Sequence, residues 1–241
     1  MADSSFAATF DDPRVDPRFC RRISGDDGDV FLVGVVHDHP ASVARVRSVL
    51  ESVRPAVLAL ELPSAAIDLY RMYAREDATP PRFGGEMSAA IQAAPDADVV
   101  GIDAPNWSFL RRLIARLVAD RVPLETAKRV MSGLGSATRE AMTCRLAATV
   151  TRTTAMTVAC DDRIEYAVDH ADPPARQAAH ERTHVAGVRA LIGDDNGASA
   201  YRDETRERCM VDRLESIRNR GDVVAVVGID HLEALETAIT E

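Results

Sequence analysis

Lysine is nearly absent from this chain of 241 residues. Lys128 is the only one, so arginine supplies the other 28 of 29 basic side chains, against 38 Asp and Glu. The formal net charge of -9 and the pI of about 5.2 disfavour binding to nucleic acid or to an anionic membrane surface, because both are negatively charged. This acidic, lysine-poor composition predicts a salt-adapted protein of haloarchaeal type. The alternative is the codon bias of a GC-rich genome.

Cysteine and long apolar runs are also scarce. The four cysteines are scattered with no Cys-x-x-Cys pair, which favours free thiols in a reducing compartment. No stretch approaches the roughly 20 consecutive apolar residues of a membrane span, and the polar start lacks the positive segment of a secretory signal. We therefore expect a cytoplasmic protein without a membrane segment, with a loose leader at 1–18 and a single domain at 19–241.

Four apolar runs, rich in β-branched residues, each end in or shortly before a titratable side chain. The runs cover residues 30–33, 58–60, 99–102 and 223–227, and the side chains are His37, Glu61, Asp103 and His231. Such runs are typical of strands covered on both faces of an α/β sheet. If the strands are parallel, the four side chains meet at the sheet edge where α/β proteins bind ligands. A buried carboxylate there needs a metal ion, an arginine or a histidine as its partner.

The spacing of turns and apolar residues also predicts the surrounding elements. The turn-rich residues 25–29 predict a β-hairpin whose second strand carries His37. A helix over 43–53 should end at Pro55, and a long helix should end before Gly221.

Five motifs in order resemble the TraB/PrgY family, which is related to the Tiki metalloproteases. They are Gly34-x-x-His37, Glu61-Leu62, the segment 103–112, the segment 206–210 and Gly228-x-x-His231. The resemblance implies an α/β domain with a mostly parallel central sheet, flanking helices and a helical insertion at about 107–192. It also implies a metal-dependent hydrolytic site centred on the two histidines and Glu61.

A mechanism follows from this cluster. His37, His231, Glu61 and Asp103 are the predicted ligands of a divalent metal such as zinc, manganese or cobalt. The metal would lower the pKa of a bound water toward about 7, and Glu61 would act as ligand or base in attack on an amide or ester carbonyl. The substrate would be a small molecule or a peptide.

Arg206 is the predicted partner of substrate or of these carboxylates. It lies four residues before Met210 on the same helix face. It would steady the oxyanion, bridge Glu61 or Asp103, or reach solvent at the helix start.

Three alternatives remain at this stage. One is a non-catalytic binding or signalling protein that sequesters a peptide or small ligand. The second is a metal-independent hydrolase that uses the His and Glu pair as acid and base. The third is a zincin site at His180-Glu181-x-x-His184, although its polar, Ala-rich flanks favour a solvated helix face. His39 offers a His-x-His ligand pair, but we expect it to be a loop residue.

The acidic excess predicts a salt-dependent stability. Self-repulsion acts over a Debye length of about 30 Å at 0.01 M salt and about 3 Å at 1 M. We therefore expect a higher melting temperature in molar KCl than in dilute buffer, measured by calorimetry from 0.05 to 3 M. A charge-neutral core variant should shift the whole curve without flattening it. A melting temperature that stays constant or falls with salt would favour the GC-bias explanation.

Overall fold

A computed structural model describes residues 2–103, 107–120, 122–123, 125, 164–191 and 198–240. The strands are β1 (Ala2–Asp3), β2 (Cys20–Ile23), β3 (Val30–Val35), β4 (Val57–Pro63), β5 (Asp98–Asp103) and β6 (Val223–Gly228). The helices are α1 (Pro40–Val53), α2 (Ile67–Tyr73), α3 (Gly85–Ala93), α4 (Trp107–Ala119), α5 (Pro174–Leu191), α6 (Ala198–Arg218) and α7 (Leu232–Thr240). Short 3-10 helices cover Ser4–Thr9 and Ile229–His231.

The strands form one sheet in the order β1-β2-β3-β6-β4-β5. The last four strands in this order are mutually parallel, and β1 and β2 join the β3 side as antiparallel strands. The predicted α/β class with a mostly parallel sheet and flanking helices is confirmed, as is the hairpin between β2 and β3. β6 lies between β3 and β4, so the strand–helix–strand unit from β3 to β4 is not a pair of neighbouring strands.

Both faces of the sheet are buried, which explains the uninterrupted apolar runs. Val33 and Val226 are paired in register and pack into the core that includes α1, α2 and α3. The adjacent pair, Leu32 and Ala225, points to the other face and packs with α6 and α7. The alternation along each strand therefore divides the apolar residues between two helical layers.

The ends of α1 follow from the sequence. His39 is the N-cap residue, and its side chain accepts the backbone N–H of Ala41, while Pro40 occupies the first turn, where a missing N–H has no cost. Arg54 adopts a left-handed conformation at the C-cap (φ 49°), directly before Pro55, which cannot continue the helix. The turn at Arg54 and Pro55 leads from the end of α1 into β4.

Residues 2–18 pack against the sheet, whereas a loose leader was expected at 1–18. β1 pairs with β2, and Ala7 and Val15 are buried. The rings of Phe6 and Phe31 lie 4.9 Å apart. The apolar side chains of Phe6, Ala7 and Val15, which lie among polar residues in the sequence, pack against the sheet.

About half of the predicted helical insertion at 107–192 lies outside the described residues. Its described parts include α4 and α5, and α5 packs beside α1. None of the described helices combines the length and the apolar character needed to cross a lipid bilayer.

Candidate functional site

An arginine from α6 joins the carboxylates of β4 and β5. Arg206 donates from Nε and Nη2 to the two oxygens of Asp103, each at 2.8 Å, and Nη2 also donates to Glu61 Oε1 at 2.8 Å. The other Glu61 oxygen accepts the backbone N–H of Gly228 at 2.6 Å. Three neighbouring strands and α6 therefore meet in one polar network.

The charges in this network stabilise one another. Burial alone would raise the pKa of Glu61, but hydrogen bonding to His231 and the charges of His231 and Arg206 hold it at about 2. Burial alone would lower the pKa of Arg206, but the hydrogen bond and charge of Asp103 raise it above its ordinary value. Glu61 and Arg206 are both charged at neutral pH.

His231 lies between two carboxylates. Its Nε2 is 3.3 Å from Glu61 Oε1, and its Nδ1 is 2.9 Å from Glu207 Oε1. Burial would lower the pKa of this imidazole, but the two carboxylates raise it to about 10. The ring follows β6 directly and is mostly buried.

His37 has a similar partner on the other side of the sheet. Its Nδ1 is 2.7 Å from Glu86 Oε1, and Glu86 Oε2 accepts the backbone N–H of Asp38 at 2.9 Å. The hydrogen bond and charge of Glu86 raise the pKa of His37 to about 9, with a smaller contribution from Glu61. The His37 side chain is 65% exposed, whereas Glu86 is buried. Among the described residues, Nε2 of His37 has no hydrogen-bond partner.

Each motif histidine is thus held at Nδ1 by a carboxylate from a helix. Glu86 lies in the first turn of α3 and Glu207 lies on α6. A carboxylate at one ring nitrogen fixes the orientation of the ring and raises the basicity of the other nitrogen, as in metal-ligating and catalytic histidines. The edge of the sheet at which the parallel strands end carries a group of seven polar side chains, which we call the rim.

The rim consists of His37, Glu61, Glu86, Asp103, Arg206, Glu207 and His231.

Sequence reasoning missed Glu86 and Glu207 as site residues. The signal for Glu207 is its place beside Arg206 in the motif at 206–210. The signal for Glu86 is the preceding Gly84-Gly85 pair, whose φ angles are 77° and 46°. A Cβ atom at Gly85 would lie 2.3 Å from Asp38 Oδ1, so glycine permits the close approach of α3 to the His37 loop.

The predicted metal ligands fit an ion only in part. Two ligands of a tetrahedral zinc, with bonds of 2.0–2.1 Å, lie about 3.3 Å apart, which matches the separation of His231 Nε2 and Glu61 Oε1. Both carboxylates already accept hydrogen bonds at each oxygen, Asp103 from Arg206 alone and Glu61 from Arg206 and Gly228. Within the described ranges, no group of three or more His, Cys, Asp or Glu side chains is placed to hold a metal. His37 is oriented by Glu86 but is not part of such a group.

Glu181, the glutamate of the His-Glu-x-x-His sequence in α5, has a structural role. Glu181 is 0% exposed and forms an ion pair with Arg45 of α1, and it also accepts the Ser42 hydroxyl at 2.5 Å. Arg45 is itself fully buried and packs over the Phe19 ring. The expectation of a solvated face is wrong at Glu181, because the buried guanidinium of Arg45 requires a carboxylate.

His39 is a buried cap rather than an open loop residue. Its Nδ1 accepts the Ala41 N–H at 3.1 Å, and its Nε2 lies 3.0 Å from His180 Nδ1. Because Nδ1 is an acceptor, the ring proton is assigned to Nε2, which donates to His180. His39 and His180 therefore bond to each other, and His184 packs against the Tyr166 ring.

Comparison with known proteins adds no assignment. No protein-family model matches the chain, and no match was found among curated proteins or solved structures.

The buried pair of Glu181 and Arg45 should dominate the stability of the α1–α5 contact. Glu181→Ala should cost about 3–5 kcal/mol of unfolding free energy in urea titrations, because it leaves a buried guanidinium unpaired. Thr183→Ala, on the exposed side of the same helix, should cost much less. Equal stability of the two variants would show that the ion pair contributes nothing.

His39 should make the fold sensitive to acid. Burial, with the charges of His180 and Arg45, lowers its pKa from 6.5 to about 3. Between these values the unfolded chain binds a proton that the folded chain does not, so stability is complete above about pH 6.5 and falls as the pH decreases. The expected slope from this group is roughly 1.4 kcal/mol per pH unit.

Urea unfolding between pH 7 and pH 4.5 measures this effect. His39→Asn keeps a capping acceptor but does not titrate, so its stability should fall less steeply with acid. Parallel pH curves for the two proteins would contradict the prediction.

Proposed function

We propose that the rim is a hydrolytic site of the TraB/PrgY type that cleaves an amide or ester bond in a peptide or small molecule. The observation that carries the proposal is that His37 and His231 follow adjacent parallel strands and are each held at Nδ1 by a carboxylate. A carboxylate at Nδ1 fixes the orientation of the ring, which a catalytic or metal-ligating histidine requires.

In the proposed mechanism the buried His231 and the exposed His37 have different roles. Glu61, which is held by His231, accepts the proton of the attacking water as the water oxygen bonds to the carbonyl carbon. His37 faces solvent, and its protonated Nε2 donates that proton to the leaving amine or alcohol as the scissile bond breaks. Because the two histidines follow neighbouring parallel strands, the proposal has the substrate bind between their rings.

Arg206 supplies the positive charge for the oxyanion. Its Nε and Nη2 are committed to the carboxylates, but Nη1 has no hydrogen bond to any described residue. The committed atoms fix the guanidinium plane, so Nη1 is held in place to donate to a carbonyl oxygen as its negative charge develops.

A divalent metal at the rim would be held by Glu61 and His231, since His37 belongs to no group of three ligand side chains within the described residues. When bound, such a metal would supply Lewis-acid activation of water and of the carbonyl. It would take the place of the His231 proton, because a histidine ligand must be deprotonated.

A binding protein is the second candidate, and the raised pKa of His37 favours it. The protonated Nε2 of His37 and the Nη1 of Arg206, neither of which bonds to a described residue, form a donor set for a carboxylate group of a peptide or small ligand. In that case the rim would hold the ligand without cleaving it.

The test measures hydrolysis of p-nitrophenyl acetate and of fluorogenic dipeptide amides, with EDTA or with added zinc, manganese or cobalt. His37→Gln and His231→Gln should each lower kcat/KM by roughly 100-fold or more, since loss of an orienting residue alone costs about 10- to 100-fold. The exposed His170→Gln is the matched control and should retain the activity.

Calorimetric titration with zinc distinguishes a metal site at the rim from a zincin site at His180 and His184. Loss of zinc binding in His231→Gln, with binding retained in His184→Gln, supports the rim, and the opposite pattern supports the zincin site. Binding of dipeptides that requires His37, without turnover under any metal condition, identifies the binding protein. No turnover and no binding would reject both functions.

A further inference from the structure

The loop that carries His37 is held in an unusual backbone conformation. Asp38 has a φ of 57°, a left-handed value that residues with a Cβ adopt rarely. The backbone N–H of Val36 donates to the Ser42 hydroxyl at 2.8 Å, and the N–H of Asp38 donates to Glu86. Contacts from outside the loop therefore maintain a conformation that the loop does not favour by itself.

A segment far along the chain completes this support. The Tyr166 hydroxyl donates to the backbone carbonyl of His37 at 2.7 Å, and the Ile164 N–H donates to Asp38 Oδ2 at 3.1 Å. The Tyr166 ring also packs edge-on against His39, with centroids 4.6 Å apart. Both sides of the peptide group after His37 are thus bonded, its carbonyl to Tyr166 and its N–H to Glu86.

We propose that Tyr166 is a positioning residue for His37. The His37 carbonyl and the Asp38 N–H belong to one planar peptide group, so the bond to Tyr166 fixes the same plane whose other side meets Glu86. Glu86 uses its second oxygen to orient the His37 ring. Without the Tyr166 hydroxyl, the peptide plane between His37 and Asp38 can rotate, and the His37 ring then has no fixed orientation.

Tyr166 is not a member of the rim, and among the described residues its hydroxyl bonds only to the backbone of the loop that carries His37. Tyr166 is separated from His37 by 129 positions in sequence and touches none of the reacting groups assigned above. It acts only through the backbone of the loop. The effect on rate rests on the proposed hydrolytic function, but the effect on the His37 ring does not.

The experiment compares Tyr166→Phe with Thr183→Val in the full chain. Tyr166→Phe removes only the hydroxyl and keeps the ring against His39. Thr183→Val removes a hydroxyl that bonds within α5 and is exposed. The ring signals of His37 are followed in long-range ¹H–¹⁵N spectra of the ¹⁵N-histidine-labelled protein, where His37→Gln assigns them, and p-nitrophenyl acetate hydrolysis is measured in parallel.

In Tyr166→Phe we expect shifted or broadened His37 ring signals, with those of His231 unchanged. We also expect kcat to fall roughly 10-fold with little change in KM, while Thr183→Val matches the wild type in both measurements. Unchanged ring signals in Tyr166→Phe would overturn the proposal, whether or not the melting temperature falls. A shifted ring with an unchanged kcat in an active enzyme would also overturn it. If the wild type shows no hydrolysis, the hydrolytic function fails and the ring signals alone decide the role of Tyr166.

Discussion

The double pairing of Arg206 is the interaction on which the rim depends. β4 and β5 are buried on both faces, yet each carries a carboxylate at its end, and leaving either one unpaired would cost several kcal/mol. The guanidinium of Arg206 pairs with both carboxylates, because its planar fork reaches two oxygens of Asp103 and one of Glu61. A lysine ammonium lacks this fork. The pairing also fixes α6 on the sheet, which in turn brings Glu207 to His231.

The two histidines differ in environment although their motifs are alike. His231 is enclosed between Glu61 and Glu207, whereas the His37 ring is open to solvent and has a single carboxylate partner. The same four-residue pattern therefore produces an inner and an outer group. The difference arises from the helices: α6 crosses β6 and carries an arginine and a glutamate together, while α3 presents only Glu86.

Much of the fold was readable from the sequence because it follows from local patterns. Strand runs, the hairpin and the end of α1 depend on apolar periodicity and turn residues, and the parallel strands explain why Glu61 and Asp103 lie at one edge. Glu86 and the pair of Arg45 and Glu181 were not readable, because their roles arise from residues 49 and 136 positions away in sequence. No local pattern distinguishes a buried glutamate from the many solvated ones in an acidic chain.

The position of β6 gives this architecture a defined order of assembly. During synthesis β3, β4 and β5 all emerge before β6, the strand that separates β3 from β4 in the finished sheet. Without β6, the facing edges of β3 and β4 would have unpaired backbone groups, and such edges are prone to wrong pairing. Insertion of β6 also delivers the Gly228 N–H to Glu61 and brings His231 to the rim. The sheet and the rim are therefore completed in one event, so no chain that lacks β6 has the complete rim.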